Sequence, residues 1–395
     1  MNIHSLHNLF ASPSLVRVKS SARSDCRWLS VEQLGVGLSI LLCFAGCVSH
    51  PAEQGTVPAS NKYATGFTLA ETDSSVIVEV FQPYQRLEIT RPMQRIGTMS
   101  TVQVGFLYAL DAMDHLAAMC NPELVYTPVK GTEIDLGDSM KPSAERVLQG
   151  GLDILLAVNY GQYDNLEAAR LEKLGVPVIY INEWQEGTPL ARAEWIRVIG
   201  ALTGKLHEAD SIFDEVESKY LKLSRGPLSS LERVKSSARS DCRWPSVELS
   251  GGVTEGRSIM SGNNFRGTWY VPSGKNYLAY LFKDAGASYP FYDDARETSI
   301  PLTIEETLRY FHDADVWVGA AGNSLEELAQ MDEKHTWFRA YKNGRVYNWR
   351  KQRLPSGANN FWERGVVHPE EMLEDVIHIL DNAPDSTLHF AERLY

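Results

Sequence analysis

Strand-like runs alternate with amphipathic helical stretches twice along this chain, and the two blocks are separated by segments that read as helix alone. In the first block, Arg95–Met99 is predicted as a strand. Val102, Phe106, Ala109, Leu110 and Met113 then share one helical face. A helix near Ser143–Gly150 precedes the apolar run Asp153–Val158, and a helix over Asn165–Leu174 precedes Val176–Ile181. Strands separated by helices cannot pair as hairpins, so this order implies a parallel sheet covered on both faces. The pattern restarts at Ser258–Ser261 and continues through helices Asn276–Ala285 and Thr303–Phe311. Strand Asp315–Gly319, helix Ser324–Met331, strand Arg345–Asn348 and helix Pro369–Asp381 complete it.

The expected fold is therefore α/β, with an N-terminal lobe over 63–187 and a C-terminal lobe over 257–395. Two stretches that alternate in polarity, Thr65–Thr72 and Ser75–Phe81, predict a β-hairpin at the front of the first lobe. Residues 188–225 connect the lobes through two predicted helices, Thr188–Leu202 and His207–Leu223. In the second, Ala209, Ile212, Phe213, Val216 and Tyr220 form one apolar stripe. Such a helix is about 25 Å long, enough to cross from lobe to lobe. It is stiffer than paired strands, so no large closure is expected.

The front of the chain is set apart. The apolar run Leu34–Gly46 follows Arg17, Lys19, Arg23 and Arg27 and ends on small residues at Cys47. It falls short of the roughly 20 residues a spanning helix needs and reads as a signal peptide over 1–46. Gly46-Cys47 resembles the lipobox junction of bacterial lipoproteins, with Phe44 in place of the commoner leucine. It implies a lipid on Cys47, a tether over 47–62 and a place on the periplasmic side of a cell envelope. Four of the 38 Lys/Arg and two of the 50 Asp/Glu precede Cys47, so its removal shifts the net charge from −12 to −14. An acidic surface argues against nucleic acid. Only Cys120 and Cys242 then remain, which is neither a disulfide framework nor a metal cluster. Residues 17–32 recur at 233–248 with one difference, Leu29 against Pro245. Near-identity in such different contexts reads as a duplicated DNA element, and predicts an exposed inserted loop over 226–256.

The succession Asp138, Pro142-Ser143-Ala144-Glu145-Arg146-Val147-Leu148 and Asp153-Ile154-Leu155-Leu156 resembles the helix-then-strand signature of periplasmic binding proteins for iron complexes and cobalamin. Further motifs are similar to a Bacteroidetes-type lipoprotein branch of that family. They are Gly267-Thr268-Trp269-Tyr270-Val271-Pro272, Pro189-Leu190-Ala191-Arg192-Ala193-Glu194-Trp195 and Asn360-Phe361-Trp362-Glu363-Arg364-Gly365. The proline expected before the strand aspartate is Leu152 in one lobe and Ala314 in the other. The resemblance implies a class III fold, two lobes joined by one long helix, and the role of substrate-binding component of an ABC importer. Its partners would be the permease and its ATPase subunits. It also implies that Glu145 and Glu305 dock on the permease, Glu306 being the neighbour most easily confused with Glu305.

Ligands of such sheets bind beyond the carboxyl ends of the strands. That rule places Ser100, Tyr160, Trp269, Tyr270, Trp349 and Arg350 in range, with Arg364 as a further cation. Aromatic faces suit a macrocycle or catechol rings, although each of these side chains serves equally well in a core. The arginines suit an anionic ferric chelate. The histidines, among them His115, His207, His312, His335, His368 and His378, are scattered, so no bare-metal site and no cofactor is expected. The expected ligand is a metal complex: a ferric siderophore or haem, with cobalamin as the alternative. No nucleophile elbow or phosphate loop accompanies Asp293-Asp294 or Asp313 and Asp315, so an enzyme such as a metal chelatase is the weaker reading.

Overall fold

The structure, a computed structural model, describes residues 57–59 by their backbone and 61–159, 166–224 and 257–395 in full. The signal segment, Cys47 and the repeat-bearing loop lie outside the described residues. The first lobe begins with an antiparallel meander of β1 (Val57–Ala59), β2 (Phe67–Glu71), β3 (Val76–Phe81) and β4 (Tyr84–Ile89). Phe67 pairs with Val80 and Leu69 with Val78, and all four are buried. The hairpin was expected. β4 was not, because its sequence Tyr-Gln-Arg-Leu-Glu-Ile turns mostly polar or half-exposed residues outwards.

A five-stranded sheet follows, from β5 (Ile96–Thr98), β6 (Leu116–Met119), β7 (Ile134–Asp135), β8 (Ile154–Ala157) and β9 (Val178–Tyr180). Its order is β7-β6-β5-β8-β9 and every pairing is parallel. Helices α1 (Thr101–Ala109), α2 (Ala144–Gln149) and α3 (Leu166–Lys173) pack around it. All four residues of β8 are buried, as expected of a strand covered on both faces. β6 and β7 escaped the sequence reading because they are short and carry little periodicity.

Two helices, α4 (Pro189–Ala193) and α5 (Ile196–Thr203), replace the single helix expected over Thr188–Leu202. The interruption falls at Glu194-Trp195, both wholly buried. There the Glu194 carboxylate accepts the backbone N–H groups of Lys62 (2.7 Å), Tyr63 (2.8 Å) and Ala64 (2.7 Å). Nearby, Glu186 accepts those of Thr65 (3.0 Å) and Gly66 (2.9 Å) and the indole N–H of Trp195 (3.1 Å). Burial pushes the Glu186 carboxyl above its ordinary pKa, against the pull of these donors.

Helix α6 (Leu206–Leu223) spans 18 residues, about 27 Å, and buries Ala209, Phe213, Val216 and Tyr220 as its stripe required. Just before it, Lys205 Nζ donates to the first-lobe carbonyl of Leu110 at 2.9 Å. Near its far end, the Tyr220 hydroxyl donates to Asp284 in the second lobe at 2.8 Å.

The second lobe contains β10 (Ile259–Ser261), β11 (Asn263–Phe265), β12 (Thr268–Val271), α7 (Tyr277–Asp284), β13 (Ile300–Leu302), α8 (Ile304–Phe311) and β14 (Val316–Val318). It continues through α9 (Leu325–Met331), α10 (Arg339–Lys342), β15 (Val346–Asn348), α11 (Arg364–Val367), α12 (Pro369–Asp381) and β16 (Glu392–Arg393). Strands β10, β14 and β15 are parallel, with β16 added antiparallel at the edge. β11, β12 and β13 form a separate antiparallel sheet that the sequence reading lacked. One continuous apolar core runs through both lobes and takes in Ile96, Trp195, Tyr220, Val316 and Phe390.

The two lobes share a device at the start of their sheets. Asp153, just before β8, accepts the N–H groups of Gln94 (2.6 Å) and Arg95 (3.0 Å), which lead into β5. Asp315, just before β14, accepts the N–H of Ser258 (2.8 Å) and its hydroxyl (2.9 Å), which lead into β10. The aspartate of the sequence signature thus pins one strand to the backbone preceding its neighbour.

Candidate ligand cleft

In the first sheet the chain runs outwards from β5 to β7, then returns to place β8 on the other side of β5. That reversal opens a crevice beyond the carboxyl ends of β5 and β8. Gln103, wholly buried, closes its floor: its Oε1 accepts Met99 N (2.9 Å) and Ser100 N (3.1 Å), and its Nε2 donates to Ala157 O (3.2 Å). Ser100 stands at the mouth as the N-cap of α1, its hydroxyl accepting Val102 N at 3.3 Å. Tyr160 lies outside the described residues. Beyond β9, Trp184 is 42 % exposed. The carboxyl-end rule covers this indole too, but the sequence reading applied it only to β5 and β8 in this lobe.

In the second lobe the strand ends are bound together by Asn263, whose Nδ2 donates to Gly319 O (2.7 Å) and whose Oδ1 accepts Ala321 N (2.6 Å). The chain doubles back so tightly before β11 that a Cβ on Gly262 (φ +90°) would stand 1.9 Å from Tyr270 O. Only glycine fits there. Beneath the β11–β12 hairpin lies a depression of about 280 Å³, lined by residues that include Asn264, Arg266, Met331 and Asp332. Arg266, at the hairpin tip with φ 51°, is exposed, and its guanidinium lies 5.2 Å from the Phe265 ring centre. It was not singled out from sequence, since nothing in a lone arginine announces a hairpin tip.

Trp269 and Tyr270, paired in the sequence reading, part company. Successive residues of a strand face opposite ways. Trp269 is 1 % exposed, packs on Trp317, His335 and Phe338, and donates its indole N–H to Ser261 O at 3.0 Å. It is a core residue and not a ligand wall. Tyr270, on the other face, is only half-buried. Trp349 is half-buried and stacks on Phe361 at 4.7 Å and 18°, and Trp362 beside it is 42 % exposed. Arg350 donates to Asn323 Oδ1 at 2.8 Å, and burial followed by the charge of Arg353 lowers its pKa.

Arg364 departs from the expectation of a free cation. Its Nε donates to Glu371 Oε2 at 2.8 Å and its Nη2 to Glu371 Oε1, so its charge is neutralised within the protein. The residue before it acts across the lobes. Glu363, wholly buried, accepts Tyr126 N (2.5 Å) and Thr127 N (2.9 Å) from the first lobe. Burial raises its carboxyl pKa, and the two N–H donors oppose that rise. The α1 helix reaches the same point: a Cβ on Gly105 would lie 2.9 Å from the Glu363 carbonyl carbon.

Glu145 and Glu305 are exposed, each in the second position of the helix preceding an inner strand of its lobe, β8 or β14. Glu306 is separated from its neighbour by its bonds: its Oε2 accepts Thr303 N at 2.8 Å in a capping box. Among the described residues, Glu145 accepts an i+4 amide, from Gln149 at 3.1 Å. Cys120 is buried, and its thiol pKa is pushed up to about 12 by burial and by Asp138 and Asp135.

No family model matches the chain. An uncharacterized lipoprotein of Methanocaldococcus jannaschii is 24% identical over 307 residues, 74% of this chain and 66% of the relative, just under two thirds of its length. Among solved structures, a possible iron-binding periplasmic solute-binding protein of Staphylococcus epidermidis superposes with a TM-score of 0.53 at 15% identity, covering 73% of this chain and 99% of that one. A periplasmic heme-binding protein of Pseudomonas aeruginosa gives 0.53 at 14%, covering 77% and 98%. The triscatecholate siderophore-binding protein FeuA of Bacillus subtilis, complexed with ferri-bacillibactin, gives 0.50 at 15%, covering 76% and 96%. Two lobes built on mainly parallel central sheets, the long helix α6 joining them and these neighbours together give the chain the fold of the class III periplasmic binding proteins.

Proposed function

We propose that this chain is the substrate-binding lipoprotein of an ABC importer. In this reading it captures an iron complex, a ferric siderophore or haem, between its lobes and hands it to the permease. The crevice beyond β5 and β8, in a lobe joined by the long helix α6 to a second lobe built on a parallel sheet, is the observation that carries it. Two of the neighbours named above, FeuA with ferri-bacillibactin and the heme-binding protein, bind iron complexes on a similar fold. The walls also suit such a cargo. Trp184, Trp349 and Trp362 offer flat surfaces, while Arg266 and Arg350 supply positive charge for an anionic chelate. The 280 Å³ depression is too small for a whole chelate and would hold one arm of it. The homologous lipoprotein and the Cys47 junction support anchorage outside the cytoplasm.

A thermal-shift screen with haem, ferric catecholate and hydroxamate siderophores, and cobalamin tests this reading. A true ligand at 100 times its dissociation constant stabilises the fold by about 2.7 kcal/mol. A flat response to every iron complex removes the proposal, and a response to cobalamin alone redirects it to vitamin import.

A further inference from the structure

Apart from the cleft walls, one cluster of ligating side chains among the described residues stands without an assigned role. His368 caps α12, and Glu370 and Glu371 follow in its first turn. One donor atom from each lies within 4.8 Å of the others. His368 Nδ1 stands 3.0 Å from Glu370 Oε1. The second carboxylate oxygen of Glu370 is the informative atom. Glu370 is 5 % exposed, and its Oε2 is buried with no hydrogen-bond partner. A buried carboxylate oxygen without a donor is costly, and proteins meet that cost with a proton, a cation or a metal ion.

The surrounding charges narrow the choice. From the facing helix α6, Glu215 lies near His368 and Lys219 near both glutamates, and these two are themselves joined at 2.7 Å. Arg364 is bonded to Glu371. Three carboxylates therefore meet two permanent cations, and neither cation reaches Glu370 Oε2.

We propose that His368, Glu370 and Glu371 form a divalent-cation site at the start of α12, beside the interlobe helix. One imidazole and two carboxylates are a donor set for zinc or manganese, whereas calcium and magnesium take oxygen donors. Donors around a tetrahedral ion with bonds of about 2.1 Å stand about 3.4 Å apart. The donors, now within 4.8 Å of one another, would have to draw together to that spacing around an ion. Glu371 now gives one oxygen to each of two Arg364 donors, so binding an ion would exchange one of those bonds for the metal and keep the other. The site lies on the helix behind Arg364, so the proposal does not rest on the identity of the cargo.

The test is zinc binding to the full chain after chelator treatment, with zinc sulfate as the probe and bound metal counted after gel filtration. Cobalt substitution supplies an absorption signature of the donor geometry. About one zinc per chain is expected, with affinity lowered at least tenfold in both Glu370→Gln and His368→Gln. Melting curves recorded without metal establish that each variant is folded. Should Glu370→Gln fail to fold, His368→Gln, at a half-buried position, still gives the reading. Zinc that is not retained by the parent protein overturns the proposal. So does zinc retained with unchanged affinity when His368 or Glu370 is replaced, which would place the ion elsewhere.

Discussion

Single carboxylates carry much of this architecture, and their sign with pH differs by environment. At Asp153, burial disfavours the charge, but the N–H groups of Gln94 and Arg95 and the nearby Arg91 outweigh it, so the pKa is lowered. A lowered carboxyl stabilises the fold above its unfolded value, and that stability is lost as pH falls through the folded value. Asp153→Asn is therefore expected to cost about 1–2 kcal/mol at pH 7. The difference from the parent should begin to shrink as pH falls below the ordinary aspartate range and vanish only below the lowered folded value, as read by urea melts in a series from pH 7 downwards. Glu183, Glu186 and Glu363 have the opposite sign, since burial raises all three. They penalise the fold once ionised, and relieve it as pH falls towards their unfolded values. Legibility at this scale was uneven. Asp153 was visible as a signature residue, but its task of holding Gln94 and Arg95 was not, because hydrogen bonds across 59 residues leave no local pattern. Trp269 and Tyr270 show the same limit: a short strand fixes that they face apart, but not which face is core.

Among the elements, periodic ones were legible and short ones were not. α6 declared itself through a stripe of four buried residues, and β8 through an unbroken apolar run. β6, β7 and β11 have two to four residues each, too few to show a period; β6 and β7 pair across intervening helix or loop, and β11 with its hairpin neighbour β12. The contact between α1 and the start of α11 was likewise hidden in one residue. Gly105→Ala should gain about 1 kcal/mol of helix propensity. It also places a methyl group 2.9 Å from the backbone of Glu363, which cannot swing aside as a side chain does. The clash is expected to dominate, with a net loss of about 1–3 kcal/mol in denaturant melts. A neutral or stabilising result would show that the two lobes adjust freely at this point.

Across the whole molecule, the two-lobed plan was readable because strand and helix alternate in only one topologically simple way. The cleft was readable only as a place, since the side chains that line it are chosen by loops. Its two exposed glutamates stand in matching positions, one per lobe, with Glu306 committed to its cap. Paired like charges on a bilobed surface set the orientation of an encounter more than its strength. Replacing both Glu145 and Glu305 by alanine is expected to leave cargo affinity within twofold, as read by titration, and to abolish uptake in cells. Normal uptake by that variant would remove the docking role.

Residues 62–66 are gripped by Glu186 and Glu194, and Lys62 Nζ also reaches Asp214 and Glu217 on α6. Upstream of this grip β1 pairs with β2, so a pull arriving from the preceding chain is shared between the first lobe's meander and the central helix.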